Sequence, residues 1–584
     1  MLLFGLFLRV LCLWLPAGDD VNRYLVEGEA FLSGINVWAS APLEYSDAIG
    51  VNHSDRETVY PPLAQMVFAL AAAFSFLGAK VWQIMALLFD LGSSFLLYRL
   101  ATTKRQKKYF WIIWLSPLPM IAFAGGGHYD SLLVFFFLLS LYFRRLNRVY
   151  CMALCLGLAC GLKYQILPLF LFFFGPGSFF ALFTVFLPVL VLPWVLIWFL
   201  YFVPDGLSIS LYFETAHWFT GSMEYASCLP QILLWCGISQ TQAVLILGVF
   251  YLVFLLCLWL FQPGFYKSMF WASLALILVY PTVHYWYLYL ILVLWVLAPT
   301  VQVWWMAHLL LLAGVLSYNS PGFAHFPQIE FFAYLSLFSP LFFNRSEKNR
   351  PGLGLVIPVL SSDKDKLLHL LNDLFSQPEI PEQIVISEGG LNQELRPLCS
   401  RYGISHISSA SGRGQQIFQG LMRLNTDIVL ILHADSRVSK NVVGEIREAM
   451  RDQDIMGGCI GHTYRESGFW LHLTALINRL RVQTLGLSFG DQGQFFRRHL
   501  LFSHQVFEPV PLMEDVELSL RVCEAGRTVV LRGGLVSSAR QWKGGFLNKV
   551  RQAKKIFVLV ARYLLRRRLG LNQPFNAYYR YYYS

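Results

Sequence analysis

The chain has 584 residues, of which 56% are hydrophobic and only 14% charged, with a mean hydropathy of +0.51. Soluble domains are about a quarter charged, so this composition excludes a chain that is water-soluble throughout and puts much of it in a bilayer. The net charge of +11 does not point to nucleic acid, because Lys and Arg fall in short loops between apolar runs and near the C-terminus, as the positive-inside rule produces.

Met1 to Pro16 has the length of a signal-peptide apolar region but lacks a small-residue cleavage site, which predicts a retained first helix. Asp19-Asp20-Val21-Asn22-Arg23-Tyr24 follows directly. An acid pair at a helix end on a membrane surface is costly without a partner or a purpose, and a solvated loop paired with Arg23 is the structural alternative. Apolar runs then recur near 61–79, 81–101, 109–125, 131–147, 149–174, 178–203, 241–261, 268–282, 285–299, 301–317 and 330–343. Several are shorter than the ~20 residues of a full span, so tilted, broken or re-entrant segments are expected. The clusters Lys104–Lys108 and Arg144–Arg148 flank two of these runs and should share the cytoplasmic side, which puts Asp19, Asp20 and the Gly125–Asp130 turn on the other. The ten cysteines lie mostly inside apolar segments and form no CxxC pair, so neither zinc nor a redox centre is indicated.

After Arg350 the texture changes to soluble α/β. Leu353–Leu360, Gln383–Ser387 and Asp427–Leu432 read as strands and Lys364–Phe375 as a helix, which predicts a mostly parallel, doubly wound sheet with its site beyond the strand ends. The expected organisation is a polytopic α-helical membrane domain over 1–345 and a linker over 346–352. A Rossmann-like α/β domain follows over 353–545, and a basic, apolar-striped membrane-surface helix with an aromatic tail over 546–584. Strand Ile428–Leu432 ends in His433-Ala434-Asp435-Ser436, a carboxylate placed to hold Mg²⁺ or Mn²⁺ against a diphosphate. Pro511–Leu518 sets Glu514 and Asp515 at the start of a helix, where one acid can serve as general base.

The ordered run Leu355–Leu360, Glu388-Gly389-Gly390, Gly412–Gln416, Leu432–Ser436, Gly490-Asp491-Gln492, Pro511–Leu518 and Ser538–Trp542 resembles family 2 glycosyltransferases of GT-A fold, and is similar to the arsenosugar-biosynthesis group. That resemblance implies nucleotide-sugar contacts from Pro358, Glu388, Gly389, Arg413, Gln416, Asp491, Gln492, Arg540 and Trp542. It also implies Asp435 as metal ligand, Asp515 as base with Glu514 beside it, and inverting transfer. The chain departs from the pattern at Glu388, usually Asp, and at His433, usually the first acid of the metal motif.

The series Asp19–Tyr24, Gly34-Ile35-Asn36, Tyr60–Leu63, Gly127–Asp130, Gly161–Tyr164, His217–Phe219 and Pro281–Tyr287 resembles polytopic GT-C, mannosyltransferase-like enzymes. Such enzymes take sugar from a polyprenyl-phosphate donor on the non-cytoplasmic side. The resemblance implies Asp19 or Asp20 as base and Arg23, His128, Asp130, Lys163 and His284 as cavity residues, with Lys163 a candidate for the lipid phosphate. The expectation is therefore a glycosyltransferase of the bacterial inner membrane with its C-terminal domain in the cytoplasm. Its partners would be nucleotide sugar, a lipid-linked sugar and membrane lipids. The alternative is that only the α/β domain is catalytic and the membrane part is an anchor or a lipid or glycan transporter.

Overall fold

The computed structural model describes residues 1–47, 49–174, 178–204, 212–216, 226–261, 264–318, 326–339, 351–390, 393–438, 441–464, 478–531, 534–537 and 546–583. The expected motif residues His217–Phe219, Arg540 and Trp542 lie outside them. The chain divides into two compact units, Met1–Leu255 with Met269–Phe342, and Leu256–Ser268 with Phe343–Ser584.

In the described residues of the first unit the regular elements are helices. Among the described residues three helices are long and apolar enough to cross a bilayer, Lys80–Leu100, Phe179–Phe202 and Gln240–Phe261. A fourth span results if Pro117–Gly125 and Asp130–Arg145, bent by 118° at the glycine turn, count as one. The remaining apolar runs form shorter helices, and proline accounts for several breaks: Pro62 opens Pro62–Ala72, and Pro168 sits within the 3₁₀ stretch Tyr164–Phe173. Arg145 Nη1 donates to the carbonyl of Arg99 (2.9 Å), so the basic ends of two helices meet, while Asp130 starts the opposite end of one of them.

Two buried constructions hold this unit. Arg9 Nε pairs with Asp90 (2.6 Å), whose other oxygen accepts from Tyr289 Oη (2.9 Å), tying Leu2–Cys12, Lys80–Leu100 and Leu288–Leu297 together. Removing one partner of such a pair costs about 3–5 kcal/mol, because the other charge stays buried alone. Tyr24, Phe68, Trp82 and Tyr129 pack together behind the acid pair, Tyr24 stacked on Phe68 (4.6 Å between centroids), tilted against Trp82 (5.0 Å) and edge-to-face with Tyr129 (5.5 Å).

The second unit is built on a seven-stranded sheet, β1 (Leu353–Leu360), β2 (Gln383–Gly389), β3 (Ser405–Ser409), β4 (Ile428–Ile431), β5 (Ile455–Cys459), β7 (Gln494–Arg497) and β8 (Arg527–Val530), in the order β3-β2-β1-β4-β7-β5-β8. β6 (His462–Tyr464) and β9 (Leu535–Ser537) form a separate parallel pair. β7 runs antiparallel to β4 and β5, and the other pairs in the large sheet are parallel. Along β1, Leu353, Leu355, Ile357 and Val359 face one core with helix Lys364–Phe375, and Val356 faces the other with helix Arg413–Arg423. A strand covered on both faces must be apolar throughout, which is why β1 reads as an unbroken hydrophobic run.

The stripe Leu559, Val560, Tyr563 and Leu564 of helix Phe546–Arg568 packs on Leu512, Met513, Val516 and Leu520. Arg567 pairs with Glu517 (2.8 Å), and Tyr563 Oη donates to the same carboxylate (2.6 Å). Helix Glu514–Ala525 offers a complementary apolar and acidic face, a tertiary partner invisible from the local sequence of the basic helix.

Candidate functional site

In the first unit, helix Asp19–Leu32 opens with both acids in its first turn, where the helix dipole favours negative charge. Gly18 N–H donates to Gly126 O (2.9 Å), and a side chain at Gly18 would stand 3.0 Å from His128 Nε2, so glycine there lets the 126–128 turn close over the acids. Asn52 Nδ2 donates to Asp20 (2.7 Å) and lies 3.4 Å from Asp19. Asp20 also accepts from Tyr24 Oη (3.3 Å) and faces His128 Nδ1 at 3.5 Å. Burial, and then the charge of Asp20, push the Asp19 carboxyl up to about 6. Burial acts on Asp20 in the same direction, but His128, His284 and Asn52 outweigh it and hold that carboxyl below its ordinary range. The pair therefore divides into a fixed anion and a group that exchanges a proton near neutrality.

The acids look onto a cavity of about 560 Å³ lined also by Asn52, Lys163, His284, Trp286 and a set of tyrosines. Trp286 is sandwiched between His128 (3.6 Å between centroids, 17°) and His284 (4.5 Å, 2°). His284 Nδ1 contacts Tyr318 Oη at 3.2 Å. Lys163 Nζ pairs with Asp130 (2.8 Å) and sits 4.0 Å from the Tyr287 ring centroid. His128 and Asp130 stand behind the lining, positioning Asp20 and Lys163 respectively. Arg23 lines the cavity, yet all five of its N–H groups are used: one on Glu27 (2.6 Å), four on the carbonyls of Asn52, His53, Arg56 and Glu57. It pins the loop that delivers Asn52.

In the second unit, Asp435 is exposed just beyond β4 and has no hydrogen-bond partner among the described residues. The half-buried His433 lies within electrostatic reach of Asp435, Asp515 and Asp491, and desolvation followed by the Arg413 charge lowers its pKa from the ordinary histidine value. A Cβ at Gly490 would stand 2.9 Å from His433 Nε2 and 3.3 Å from Asp515 Oδ2, so glycine permits this convergence. Asp515 accepts the N–H of Gly490 and of Val516, both at 2.8 Å. Met513, immediately before the acids, has φ +68°, a left-handed conformation that is strained for a non-glycine residue. Glu514 is buried and ion-paired with Arg413, the first residue of helix Arg413–Arg423, while its Oε2 has no hydrogen-bond partner. Burial and the neighbouring Asp515 push Glu514 up to about 7.

Other residues expected to contact the nucleotide sugar also bond within the domain. Glu388 is fully buried and accepts from Ser361 (2.7 Å), His406 Nε2 (2.7 Å) and the N–H groups of Glu394 and Leu395 (3.2 and 3.3 Å). Gln416 donates to the carbonyls of Val359 and Ser387 (2.8 and 3.0 Å), an approach that Gly389 allows by lacking a side chain. Gln492 Oε1 accepts from Arg481 (2.9 Å). Pro358 lies in β1 opposite Ser387, and Asp491 is exposed in the 3₁₀ turn Gly490–Gln492. Sequence reasoning placed the site near Ser361, Glu388 and Asp435 but missed Asn52 and His406. Their sequence surroundings carry no motif, and their roles arise from contacts across 18 or more residues.

A Rossmann-like sheet with acids at its strand ends, joined to a helical unit with an acid pair in an aromatic cavity, is the architecture of a two-domain glycosyltransferase. The chain is an enzyme of that class associated with a membrane. Residues 12–175 match the family described as alpha-(1->6)-mannopyranosyltransferase, N-terminal domain, and residues 355–504 match glycosyl transferase family 2. The chain thus carries an N-terminal mannosyltransferase-like domain and a C-terminal family 2 domain. Its structure is similar to a mannosyltransferase from Pyrobaculum calidifontis solved with GDP-Man and Mn²⁺, at 13% identity and TM-score 0.32, covering 40% of this chain and 70% of that one. It is also similar to glucosyl-3-phosphoglycerate synthase from Mycobacterium tuberculosis solved with Mn²⁺, UDP and glucosyl-3-phosphoglycerate (15%, TM-score 0.27, 38% and 82%). A third similar structure is S. aureus TarS (14%, TM-score 0.27, 32% and 36%). No curated protein matches the chain.

Proposed function

We propose that the chain catalyses two sugar transfers, one from a nucleotide sugar in the cytoplasm and one from a lipid-linked sugar on the far side of a bacterial inner membrane. In the family 2 domain the acceptor is polyprenyl phosphate or another lipid hydroxyl or phosphate. When Asp515 acts on a hydroxyl acceptor it takes the proton as the acceptor oxygen bonds to the anomeric carbon. The bond from that carbon to the diphosphate breaks with its electron pair leaving on the diphosphate, and the configuration inverts. Asp435 and His433 would hold a Mg²⁺ or Mn²⁺ ion, which when bound neutralises charge on the departing diphosphate. The exposed Asp435 carboxylate just beyond β4 suits such an ion, since Mg²⁺ is commonly held by one or two carboxylates plus substrate phosphates.

In the membrane domain Asp19 serves as base, Asp20 stays anionic, and Lys163 meets the phosphate of a polyprenyl-phosphate sugar. The observation that carries this reading is the acid pair at the wall of a 560 Å³ cavity lined by several tyrosines whose rings suit a sugar ring. The end-to-end segregation of the Arg99–Arg145 contact from Asp130 supports placing that cavity outside. Purified protein incubated with a panel of nucleotide sugars and polyprenyl phosphate, then analysed by mass, tests the proposal. A lipid-linked sugar is expected, and nucleotide-sugar hydrolysis without one would overturn the lipid acceptor.

A further inference from the structure

Helix Phe546–Arg568 has a second apolar face that its packing on the transferase helix leaves uncovered. Val558 is 41% exposed, Leu565 44% and Leu569 58%, and they share one side of the helix with Arg562 and Lys554, facing away from Leu559, Val560, Tyr563 and Leu564; Phe557, 61% exposed, lies at the edge between the two faces. Residues 546–584 contain nine Lys and Arg and no Asp or Glu, so they account for most of the chain's net charge. The acidic partners that neutralise Arg567 come from Glu517 and Glu524 on its inner side. Exposed Tyr579 and Tyr581 follow on the next helix, Phe575–Tyr583. An apolar stripe bordered by basic residues, with aromatic rings beside it, is the chemistry of a helix lying in the headgroup layer. Leucine, valine and phenylalanine gain by entering the acyl boundary, and each nearby Lys or Arg by meeting lipid phosphate.

We infer that the outer face of Phe546–Arg568 docks the transferase domain onto an anionic membrane surface. The inner face packs on Leu512, Met513 and Val516, which bracket Glu514 and Asp515, so docking sets the acid pair about one helix diameter, ~10 Å, from the headgroups. A lipid acceptor held in the bilayer then presents its phosphate near the catalytic acids without leaving the membrane.

The test uses the full chain in nanodiscs with a photocrosslinking amino acid at position 565, or at buried position 560 as control. Mass spectrometry of the irradiated protein should show a phospholipid adduct at 565 several-fold above that at 560, and more of it when an anionic phospholipid is included. A crosslinked dimer would instead identify the face as an interface between copies. No lipid adduct in either membrane would exclude docking on lipid. With the crosslinker at 557, the pair Leu565→Glu and Leu569→Glu should cut the adduct several-fold, and an unchanged adduct would overturn the proposal. The readout needs no sugar transfer, so it stands or falls separately from the proposed activity.

Discussion

Replacing Asp515 by Asn keeps the side chain's size and removes its basicity. A positioned base contributes about 10²–10⁴-fold, or ~2.7–5.4 kcal/mol of transition-state stabilisation, so kcat should fall at least a hundredfold. The structure adds a second, separable cost. Asp515 accepts two backbone N–H groups, from Gly490 and Val516. Asparagine has one acceptor oxygen, so one of those donors would face an NH₂ group, at about 1–3 kcal/mol of stability. Donor affinity should stay within a few-fold of wild type, because in the proposed mechanism this carboxylate acts on the acceptor proton and not on the diphosphate. Calorimetry of nucleotide-sugar binding, turnover at saturating donor and the melting transition of the variant together check all three. Wild-type turnover in the variant would refute the assignment and move the base to Glu514. Loss of donor binding in step with turnover would show that Asp515 holds the donor.

Asp435→Asn should weaken donor binding itself, and EDTA should abolish transfer, whereas full activity in EDTA would remove the metal from the mechanism. In the membrane domain Asp19→Asn should abolish transfer from a lipid-linked donor. That activity in wild type should rise with pH through about 6, because the proton-accepting form of Asp19 appears only above its raised pKa. A rate independent of pH between 5 and 7 would count against Asp19 as base. Lys163→Met leaves the buried Asp130 carboxylate unpaired and should cost about 3–5 kcal/mol of stability. Adding Asp130→Asn should recover most of that cost without restoring phosphate-dependent binding.

Much of the family 2 fold was legible because parallel strands buried on both faces write their own signature. Leu353–Leu360 and Lys364–Phe375 were placed to the residue, and β4 to within one residue at each end. Asp435 was visible because it follows directly on an apolar strand, and Glu514–Asp515 because Pro509 and Pro511 mark the turn before them. What was not legible is what the surroundings do to each group. Nothing local to Glu388 announces that four donors already occupy it, nor does Arg23 show that loop carbonyls consume its guanidinium. In the membrane domain the three long spans fall within one residue of the apolar runs 81–101, 178–203 and 241–261, whereas the run 149–174 is split at Lys163 into helix Val149–Leu162 and the 3₁₀ stretch Tyr164–Phe173, a break to which hydropathy is blind.

Glu514 offers a prediction whose sign comes from its burial. An ordinary glutamate titrates near 4.5, whereas burial and the Asp515 charge raise this one to about 7. Between those two values the folded protein keeps a proton that the unfolded chain has released, so stability contributed at this position falls as pH rises from 4.5 to 7. The difference of about 2.5 pH units corresponds to at most ~3 kcal/mol, partly offset where the Arg413 ion pair forms at higher pH. Glu514→Gln fills the same space and cannot ionise. It loses only an ion pair whose arginine is 42% exposed, worth about 0–1 kcal/mol. The variant should therefore melt close to wild type at pH 5 and gain on it steadily toward pH 8, when both are scanned at one rate because the unfolding of a two-domain membrane protein is not expected to be reversible. Parallel melting curves across that range would mean that Glu514 is ionised throughout and that Arg413, not burial, governs its charge. In that case the pair is a permanent ion pair and Glu514 has no proton to exchange with substrate at neutral pH.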